Sequence, residues 1–428
     1  MKHIITFFLV ILFATSLQAQ RFEDFFEDKT LRIDYTFAGD AKRQDIYVDK
    51  LNVSPRWYGK RQRLTELPIE GNGQITVKWH KTGEVIYRNS FSTLFQEWLS
   101  YPECEQVRKS FENVFLVPMP KDTVDVILDL RNNRREVMAT ITHQVVPTDI
   151  LIRHIGEKGV TPYTVMQQAN DPTRCIHIAY LAEGYQQHEM PTFLNDVQVA
   201  MEALFAHEPF KSLRDRFHIV AVQSPSQESG MSEPAKGIWK NTALHSHFDT
   251  FYSSRYLTTL HIKDMHDLLA GIPYEHIIVL VNSERYGGGG VLNSYTLSTI
   301  HNDKSHPVVV HEFGHSFCGL GDEYAYEVEE VPMYPKDIEP WEPNLTTLVD
   351  FPSKWQDMME KKTPIPTPIT EKYKDKVGVY QGGGYNVHDV YRPMQDCRMR
   401  TNENPEFCPV CQRALTRLID FYTGQMKD

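Results

Sequence analysis

The sequence is poor in several features that mark common classes of protein. Only six of its 428 residues are cysteine, too few for a chain of this length to be held together mainly by disulfide bonds. Acidic residues outnumber basic ones by 56 to 45, and the formal charge of −11 argues against a general nucleic-acid binder, which needs Lys and Arg. There is also no Gly-x-Ser-x-Gly elbow of a serine hydrolase, and no phosphate loop ending in Gly-Lys-Ser/Thr.

Long apolar runs are missing after the first residues. Lys2 precedes an apolar stretch over residues 4–13, and the small residue Ala19 lies in a suitable cleavage sequence before Gln20. This pattern predicts a signal peptide over residues 1–19, because the apolar run is too short to cross a bilayer comfortably. We therefore expect a mature protein that is secreted, periplasmic or at the cell surface, without an integral membrane segment.

Alternating apolar and polar residues dominate the first third of the chain. Leu31, Ile33, Tyr35 and Phe37 alternate with polar residues, and the same pattern recurs along residues 75–87 and 124–145. This period of two predicts an antiparallel β-sandwich over residues 20–147, a substrate-binding or scaffold domain.

The pattern changes after residue 147. Apolar runs predict three buried strands, at residues 176–181, 217–222 and 276–281. Helical spacing of apolar residues predicts two helices, at residues 190–205 and 415–426. Alternating strands and helices indicate a mixed α/β layer, so residues 148–428 are predicted to form a second domain in an α+β protein. Four glycines at 287–290 read as a flexible turn, and residues 291–300 as an edge strand able to bind an extended peptide.

Residues 311–315 read His-Glu-Phe-Gly-His, an H-E-x-x-H motif that follows three valines. On a helix, His311 and His315 lie one turn apart on one face, where two imidazoles can bind one Zn²⁺. Glu312 lies close to that face and can take a proton from a water molecule at the metal. Gly319 should end the helix, so that the chain turns back and presents Asp322 as a third ligand.

The cysteines near the C-terminus allow several interpretations. Cys408 and Cys411 form a C-x-x-C motif that is typical of a redox pair or of half a zinc knuckle. No second C-x-x-C and no nearby pair of histidines completes a knuckle. The favoured interpretation is a structural role, such as a bridge that involves Cys397.

The motif residues resemble the IgA-peptidase family of zinc metallopeptidases, which is metzincin-like. The likeness spans about residues 176–411 and includes the sequences Ala-Glu-Gly-Tyr at 182–185 and Glu-Ser-Gly at 228–230, as well as the segment from Tyr391 to Arg400. It implies a metzincin-like α/β catalytic domain with endopeptidase activity and one zinc, preceded by an accessory domain, without establishing immunoglobulin as the substrate.

The resemblance also implies roles for individual residues. His311, His315 and Asp322 would be the zinc ligands, Glu312 the catalytic base, and Met399 the methionine of a turn beneath the metal. Gly319 and Asp322 each fall one position later than in common metzincins, which leaves Glu323 as a rival third ligand. Three further residues are candidates by their position near the C-terminus: Tyr385 and Tyr391 for oxyanion support, and His388 as a further ligand or proton donor.

The sequence therefore predicts a secreted zinc metalloendopeptidase that cleaves extracellular proteins, with immunoglobulins or mucins as possible targets. The principal alternative is a catalytically silent surface-binding protein that uses the β-sandwich. The intact Glu312 argues against that alternative, because a silent site has little reason to keep its base. A zinc hydrolase of cell-wall peptides or glycan-linked proteins is a further alternative.

Overall fold

The structure is a computed structural model that describes residues 21–326 and 333–426. The predicted signal peptide, residues 1–19, lies outside these residues. Within them, no helix is both long enough and apolar enough to cross a membrane. The first part of the chain contains two short helices, α1 (Phe22–Phe25) and α2 (Leu94–Trp98), and eight strands: β1 (Phe26–Gly39), β2 (Gln44–Pro55), β3 (Gly73–Trp79), β4 (Val85–Phe91), β5 (Lys109–Pro120), β6 (Val124–Arg131), β7 (Val137–Val145) and β8 (Arg153–His154).

These strands form two four-stranded sheets, in the orders β5-β1-β2-β8 and β4-β3-β6-β7. The alternating residues of β1, such as Leu31 and Ile33, are fully buried and belong to the same apolar core as Val126 and Leu128 of β6. The predicted sandwich is therefore present, because each strand turns its apolar face to the other sheet. The pairs are antiparallel except for β2 with β8, the strand that follows residue 147.

A six-stranded mixed sheet forms the centre of the second part. Its order is β13-β14-β12-β10-β11-β9, with the middle four strands parallel and the two edge strands antiparallel. The strands are β9 (Tyr163–Gln167), β10 (Ile176–Glu183), β11 (Phe217–Val222), β12 (His276–Val281), β13 (Gly288–Val291) and β14 (Tyr295–Thr299); a separate hairpin contains β15 (Tyr380–Gly383) and β16 (Asn386–Arg392). The mixed α+β class is as predicted.

Four helices accompany this sheet: α3 (Met190–Phe205), α4 (Ile262–Leu268), α5 (Ser305–Cys318) and α6 (Pro409–Tyr422). One face of the sheet shares an apolar core with α3, α5 and α6. The other face shares a core with α4 and the sandwich, so the two parts of the molecule pack against each other. Helix α3 and strands β11 and β12 have the predicted bounds, whereas α6 begins six residues before the predicted start at residue 415.

The glycine run corrects two predictions. Residues 288–291 form the edge strand β13 rather than a flexible turn, and β14 lies inside the sheet, between β13 and β12. The reason is the close approach of β13 to helix α5. A Cβ atom on Gly288 would lie 2.8 Å from Glu312 Cγ, and one on Gly290 would lie 2.2 Å from the Glu312 carbonyl oxygen. The glycines therefore allow a strand to pass directly over the helix that carries the H-E-x-x-H motif.

Replacing Gly290 with Ala should destabilise the fold by about 2–3 kcal/mol, because the added methyl group meets backbone that cannot easily move. Urea unfolding would measure the loss. Gly83→Ala is the control: its methyl group would meet nothing within 4 Å, so only its positive φ of 71° should cost energy, about 1 kcal/mol. Equal losses in the two variants would contradict the proposed close packing.

Candidate active site and metal centre

Helix α5 positions the central residues of the site. Val308, Val309 and Val310 are buried in or beside the core, which leaves the facing side of the helix for polar residues. The helix ends at Gly319 in a left-handed conformation, with φ of 58°, as the sequence predicts. The turn brings the following residues back beneath the helix, where the Leu320 carbonyl lies 2.5 Å from His315 Nδ1.

Three side chains converge at this turn. His311 Nε2 lies 3.0 Å from Asp322 Oδ1 and 3.0 Å from His315 Nε2, and His315 Nε2 lies 3.4 Å from the same carboxylate oxygen. The three possible ligand atoms all lie within 4.8 Å of one another. The structure therefore brings together the two histidines and the acid that the sequence selected.

The surroundings fix which ring nitrogen of each histidine faces this point. His311 Nδ1 lies 3.0 Å from the Arg398 carbonyl, and His315 Nδ1 faces the Leu320 carbonyl. A carbonyl accepts a hydrogen bond, so both Nδ1 atoms carry the proton and both Nε2 atoms of neutral rings present lone pairs. Asp322 Oδ1 is buried without a directed hydrogen bond. Three acceptors this close repel one another unless a cation lies between them, so the donor set fits a metal ion.

The electrostatics of the three residues favour positive charge. Burial alone would lower the pKa of His315, but the adjacent Asp322 carboxylate outweighs it and raises that pKa to about 9. Burial also opposes ionisation of Asp322, yet the two histidines hold the pKa of Asp322 well below its usual value. A positive charge at this point, whether a proton or a metal ion, is therefore stabilised.

Glu323 points away from the histidines. Its carboxylate accepts a hydrogen bond from Asn344 Nδ2 at 2.9 Å and lies 3.3 Å from Cys411 Sγ, so it is not near His311 or His315. The two adjacent side chains therefore have different surroundings, and only Asp322 reaches the histidine pair. Of the two acids that the sequence left as rivals, geometry favours Asp322.

Glu312 lies between helix α5 and the edge strand. Its side chain lies over Gly288, at the wall of the cleft that contains the two histidines. Burial raises the pKa of Glu312 above its usual value. A carboxylate with a raised pKa, next to a possible metal, is well suited to accept and return a proton.

Of the three C-terminal candidates, only Tyr385 reaches the site. Its hydroxyl donates a hydrogen bond to Asp322 Oδ2, and its ring lies in the cleft. Tyr391 packs half-buried against the core, and His388 is exposed next to Gln381; neither lines the cleft. Tyr385 occupies the turn between β15 and β16, whereas the other two lie along β16.

Met399 is fully buried beneath helix α5. A Cβ atom on Gly314 would approach its sulfur to 2.9 Å, and the Met399 carbonyl accepts a hydrogen bond from Glu323 N at 2.9 Å. The residue therefore supports both the helix and the segment that carries Asp322. Its role as the methionine of a turn beneath the metal stays a prediction.

The site opens into a cleft of about 2030 Å³ between the two parts of the molecule. The sandwich lines one wall through Glu97 of α2, a residue that the sequence interpretation missed. Tyr256, which also lines the cleft, donates a hydrogen bond of 2.6 Å to the Glu97 carboxylate. Arg255 lies over the Tyr324 ring, 5.5 Å from its centroid, and Tyr324 stacks near His311. No local sequence signal links Glu97 to the motif, because tertiary folding alone brings them together.

Replacing Glu97 with Gln should stabilise the protein at alkaline pH but not at acidic pH. Burial raises the pKa of Glu97 to about 7, despite the hydrogen bond from Tyr256. The folded state therefore holds a proton that the unfolded state has lost between pH 4.5 and 7, so this group makes the protein less stable as pH rises through that window. Above pH 7 the variant should gain about 1–3 kcal/mol.

Urea unfolding at pH 5 and pH 8 would measure this difference. Glu105→Gln, which changes an exposed acid of the same region, is the control and should behave alike at the two pH values. A Glu97→Gln variant with the same stability change at both pH values would contradict the raised pKa of the Glu97 carboxylate.

Comparison with protein families agrees with this geometry. The family described as IgA Peptidase M64 matches residues 164–375 and 369–419, more than half of the chain. The family described as Peptidase M64 N-terminus matches residues 21–142, the region of the sandwich. Comparison with curated proteins gave no match. The chain therefore belongs to the IgA peptidase M64 family and is a peptidase, with the N-terminal domain of that family in front of the peptidase domain.

Proposed function

We propose that this protein is an exported, zinc-dependent endopeptidase that cleaves peptide bonds in extracellular proteins. The observation that carries the proposal is the convergence of three acceptor atoms, from His311, His315 and Asp322, beside the Glu312 carboxylate. That arrangement favours a metal ion between the three atoms and sets a base next to it.

The ligand chemistry favours zinc among the common metals. Two imidazoles and one carboxylate are a frequent ligand set of catalytic zinc, and three protein ligands leave a position open for water and substrate. The carbonyls of Arg398 and Leu320 hold the two rings in the orientation that ligation needs. Tyr385 does the same for the carboxylate of Asp322.

The protein residues would then divide the reaction between them. A bound zinc ion would supply positive charge that polarises the scissile carbonyl and makes a nearby water more acidic. Glu312 accepts the proton of that water as the oxygen attacks, and it delivers the proton to the leaving amine. The Tyr385 hydroxyl has one proton, which it donates to Asp322; turning that proton toward the substrate would let Tyr385 stabilise the negative charge that develops on the carbonyl oxygen.

The edge strand β13 offers a binding site for an extended substrate. The backbone groups of Gly288 that face away from β14 are already hydrogen-bonded. Its N–H donates to the Arg255 carbonyl at 3.3 Å, and its carbonyl accepts from Leu257 N at 3.2 Å. Backbone groups alternate along a strand, so those of Gly290 point to the same side, and Gly290 lines the cleft. We infer that a substrate adds as a strand next to Gly290, passing over Glu312.

Export rests on the sequence of residues 1–19, and extracellular proteins are therefore the expected substrates. A panel of immunoglobulin, mucin and other secreted proteins would identify the substrate class.

Removal of the metal should abolish activity. Incubating the mature protein with 1,10-phenanthroline should reduce cleavage of casein at least about 100-fold, and added Zn²⁺ should restore it, because the base acts only on water that the metal has made acidic. The same measurement with immunoglobulin A and mucin would define the substrate class. Circular dichroism before and after chelation would show whether the fold persists. Undiminished cleavage in the chelator would overturn the proposal.

A further inference from the structure

Four side chains with metal-binding atoms meet behind the catalytic turn, outside the site described above. They are Glu323, Cys397, Cys408 and Cys411; all are buried, and one ligand atom of each lies within 4.8 Å of the others. The sulfurs of Cys397 and Cys411 are 3.9 Å apart, and Cys411 Sγ is 3.3 Å from Glu323 Oε1. The cluster uses the C-x-x-C motif that the peptidase mechanism does not need.

Three separate elements bring these residues together. Cys408 caps the N-terminus of helix α6 and Cys411 lies in its first turn, so the helix start places the two thiols near each other. Cys397 precedes Met399 in the turn beneath helix α5, and Glu323 follows Asp322. The hydrogen bond from Glu323 N to the Met399 carbonyl joins the last two segments.

The expected disulfide bridge at Cys397 is absent, because all six cysteines are free thiols. The 3.9 Å between the Cys397 and Cys411 sulfurs is about twice the length of a disulfide bond, roughly 2.0 Å. One disulfide among three cysteines would in any case leave a third thiol buried beside a carboxylate. A single ion would use all three sulfurs.

The backbone around Cys397 offers hydrogen bonds that a thiolate would accept, although burial raises the pKa of this thiol and so calls for a cation beside it. The backbone N–H groups of Cys408 and Met399 both point at Cys397 Sγ, at 3.2 Å and 3.5 Å. A neutral thiol is a weak acceptor, so two backbone donors directed at one sulfur suit the thiolate that Cys397 would become on binding a metal.

Glu323 gives a second, independent reason to expect a cation among these four side chains. One of its carboxylate oxygens accepts from Asn344, whereas Oε2 is fully buried and has no hydrogen-bond partner among the described residues. A buried carboxylate with an unpaired oxygen is costly unless a cation compensates for it. Its position next to three thiols gives that cation a complete set of four ligands.

We propose that Glu323, Cys397, Cys408 and Cys411 bind a second zinc ion in a closed structural site. Thiolates select zinc over magnesium or calcium, and four protein ligands leave no open position for chemistry. Binding releases the thiol protons to solvent and needs no oxidant. The ion would tie helix α6 and the turn of Met399 to the segment of Asp322, and would thus position the catalytic ligand.

Metal analysis of the mature protein tests this inference. Purified wild type should contain two zinc ions per chain, and the His311→Ala/His315→Ala double variant should retain one. Cobalt placed in that variant should give the charge-transfer absorption of a thiolate-bound ion. Cys411→Ser should remove one zinc, whereas Cys175→Ser, which changes a buried cysteine outside the cluster, should keep both.

Two outcomes would overturn the inference: a disulfide among Cys397, Cys408 and Cys411 in non-reducing mass spectrometry of wild type, or a double variant free of metal and without the cobalt–thiolate band. The wild-type measurements decide the matter even if Cys411→Ser does not fold. Loss of hydrolysis alone would count only against the catalytic site, so failure of the proposed function and failure of the second site are distinguishable.

Discussion

Replacing Glu312 with Gln should reduce peptide hydrolysis by about 10²–10⁴-fold while leaving metal content unchanged. The amide keeps the size and shape of the side chain over Gly288 but cannot accept a proton. His311, His315 and Asp322 keep their geometry, because none of their polar contacts involves the Glu312 carboxylate. The loss should therefore appear in kcat, with little change in KM.

A quenched fluorescent peptide would give kcat and KM, and elemental analysis would give the zinc content of the same sample. Glu371→Gln, a substitution of an exposed acid that does not line the cleft, is the matched control and should retain full activity. A Glu312→Gln variant with full turnover would remove this residue from the mechanism.

Replacing Asp322 with Ala should raise the free Zn²⁺ needed for half-maximal hydrolysis by at least about 100-fold, since even the groups that only orient ligands are worth 10–100-fold in metal affinity. Activity is the appropriate readout, because it reports only the catalytic ion. The variant also deprives His311 and His315 of their carboxylate partner, and it frees the Tyr385 hydroxyl.

Glu323→Gln is the comparison for this variant. It keeps the side chain's size and its contact with Asn344, and the structure places it away from the two histidines. The free Zn²⁺ that hydrolysis needs should therefore rise far less than in Asp322→Ala, because Glu323 acts on the catalytic ion only through the proposed second site. If Glu323→Gln raised the requirement and Asp322→Ala did not, the assignment of the third ligand would be wrong.

The parts of the fold that depend on local patterns could be predicted from the sequence. The alternation around Tyr35 predicts strand β1, although Arg32 and Asp34 on its polar face are also buried, and the bounds of α3 follow from its helical spacing. The end of helix α5 at Gly319 could also be predicted, because a glycine readily adopts the left-handed conformation that closes a helix. In each case the residues that determine the structure are close together in the chain.

The glycine run could not be interpreted in this way. Four consecutive glycines favour a turn on composition alone, whereas the structure needs glycine at 288 and 290 because helix α5 lies against the strand. The requirement comes from Glu312, a residue in another element. Because the need for glycine comes from a distant residue, the sequence of the glycine run itself does not reveal it.

The candidate site also contains some residues that a local motif identifies and others that only the tertiary fold brings in. His311, Glu312 and His315 are adjacent on one helix and could be identified from their spacing, but Glu97 reaches the cleft only because the sandwich packs against the peptidase domain. The sequence presents Glu323 only as a rival to Asp322. Its contact with Cys411 depends on the fold of the C-terminal turn, which the sequence does not reveal.

A crystal structure of the mature wild-type protein with an anomalous difference map at the zinc edge tests the central claim most directly. The account predicts a strong peak within bonding distance of Nε2 of His311, Nε2 of His315 and the carboxylate of Asp322, next to Glu312. A map with no peak at that point in an active preparation, or with those side chains directed elsewhere, would contradict it.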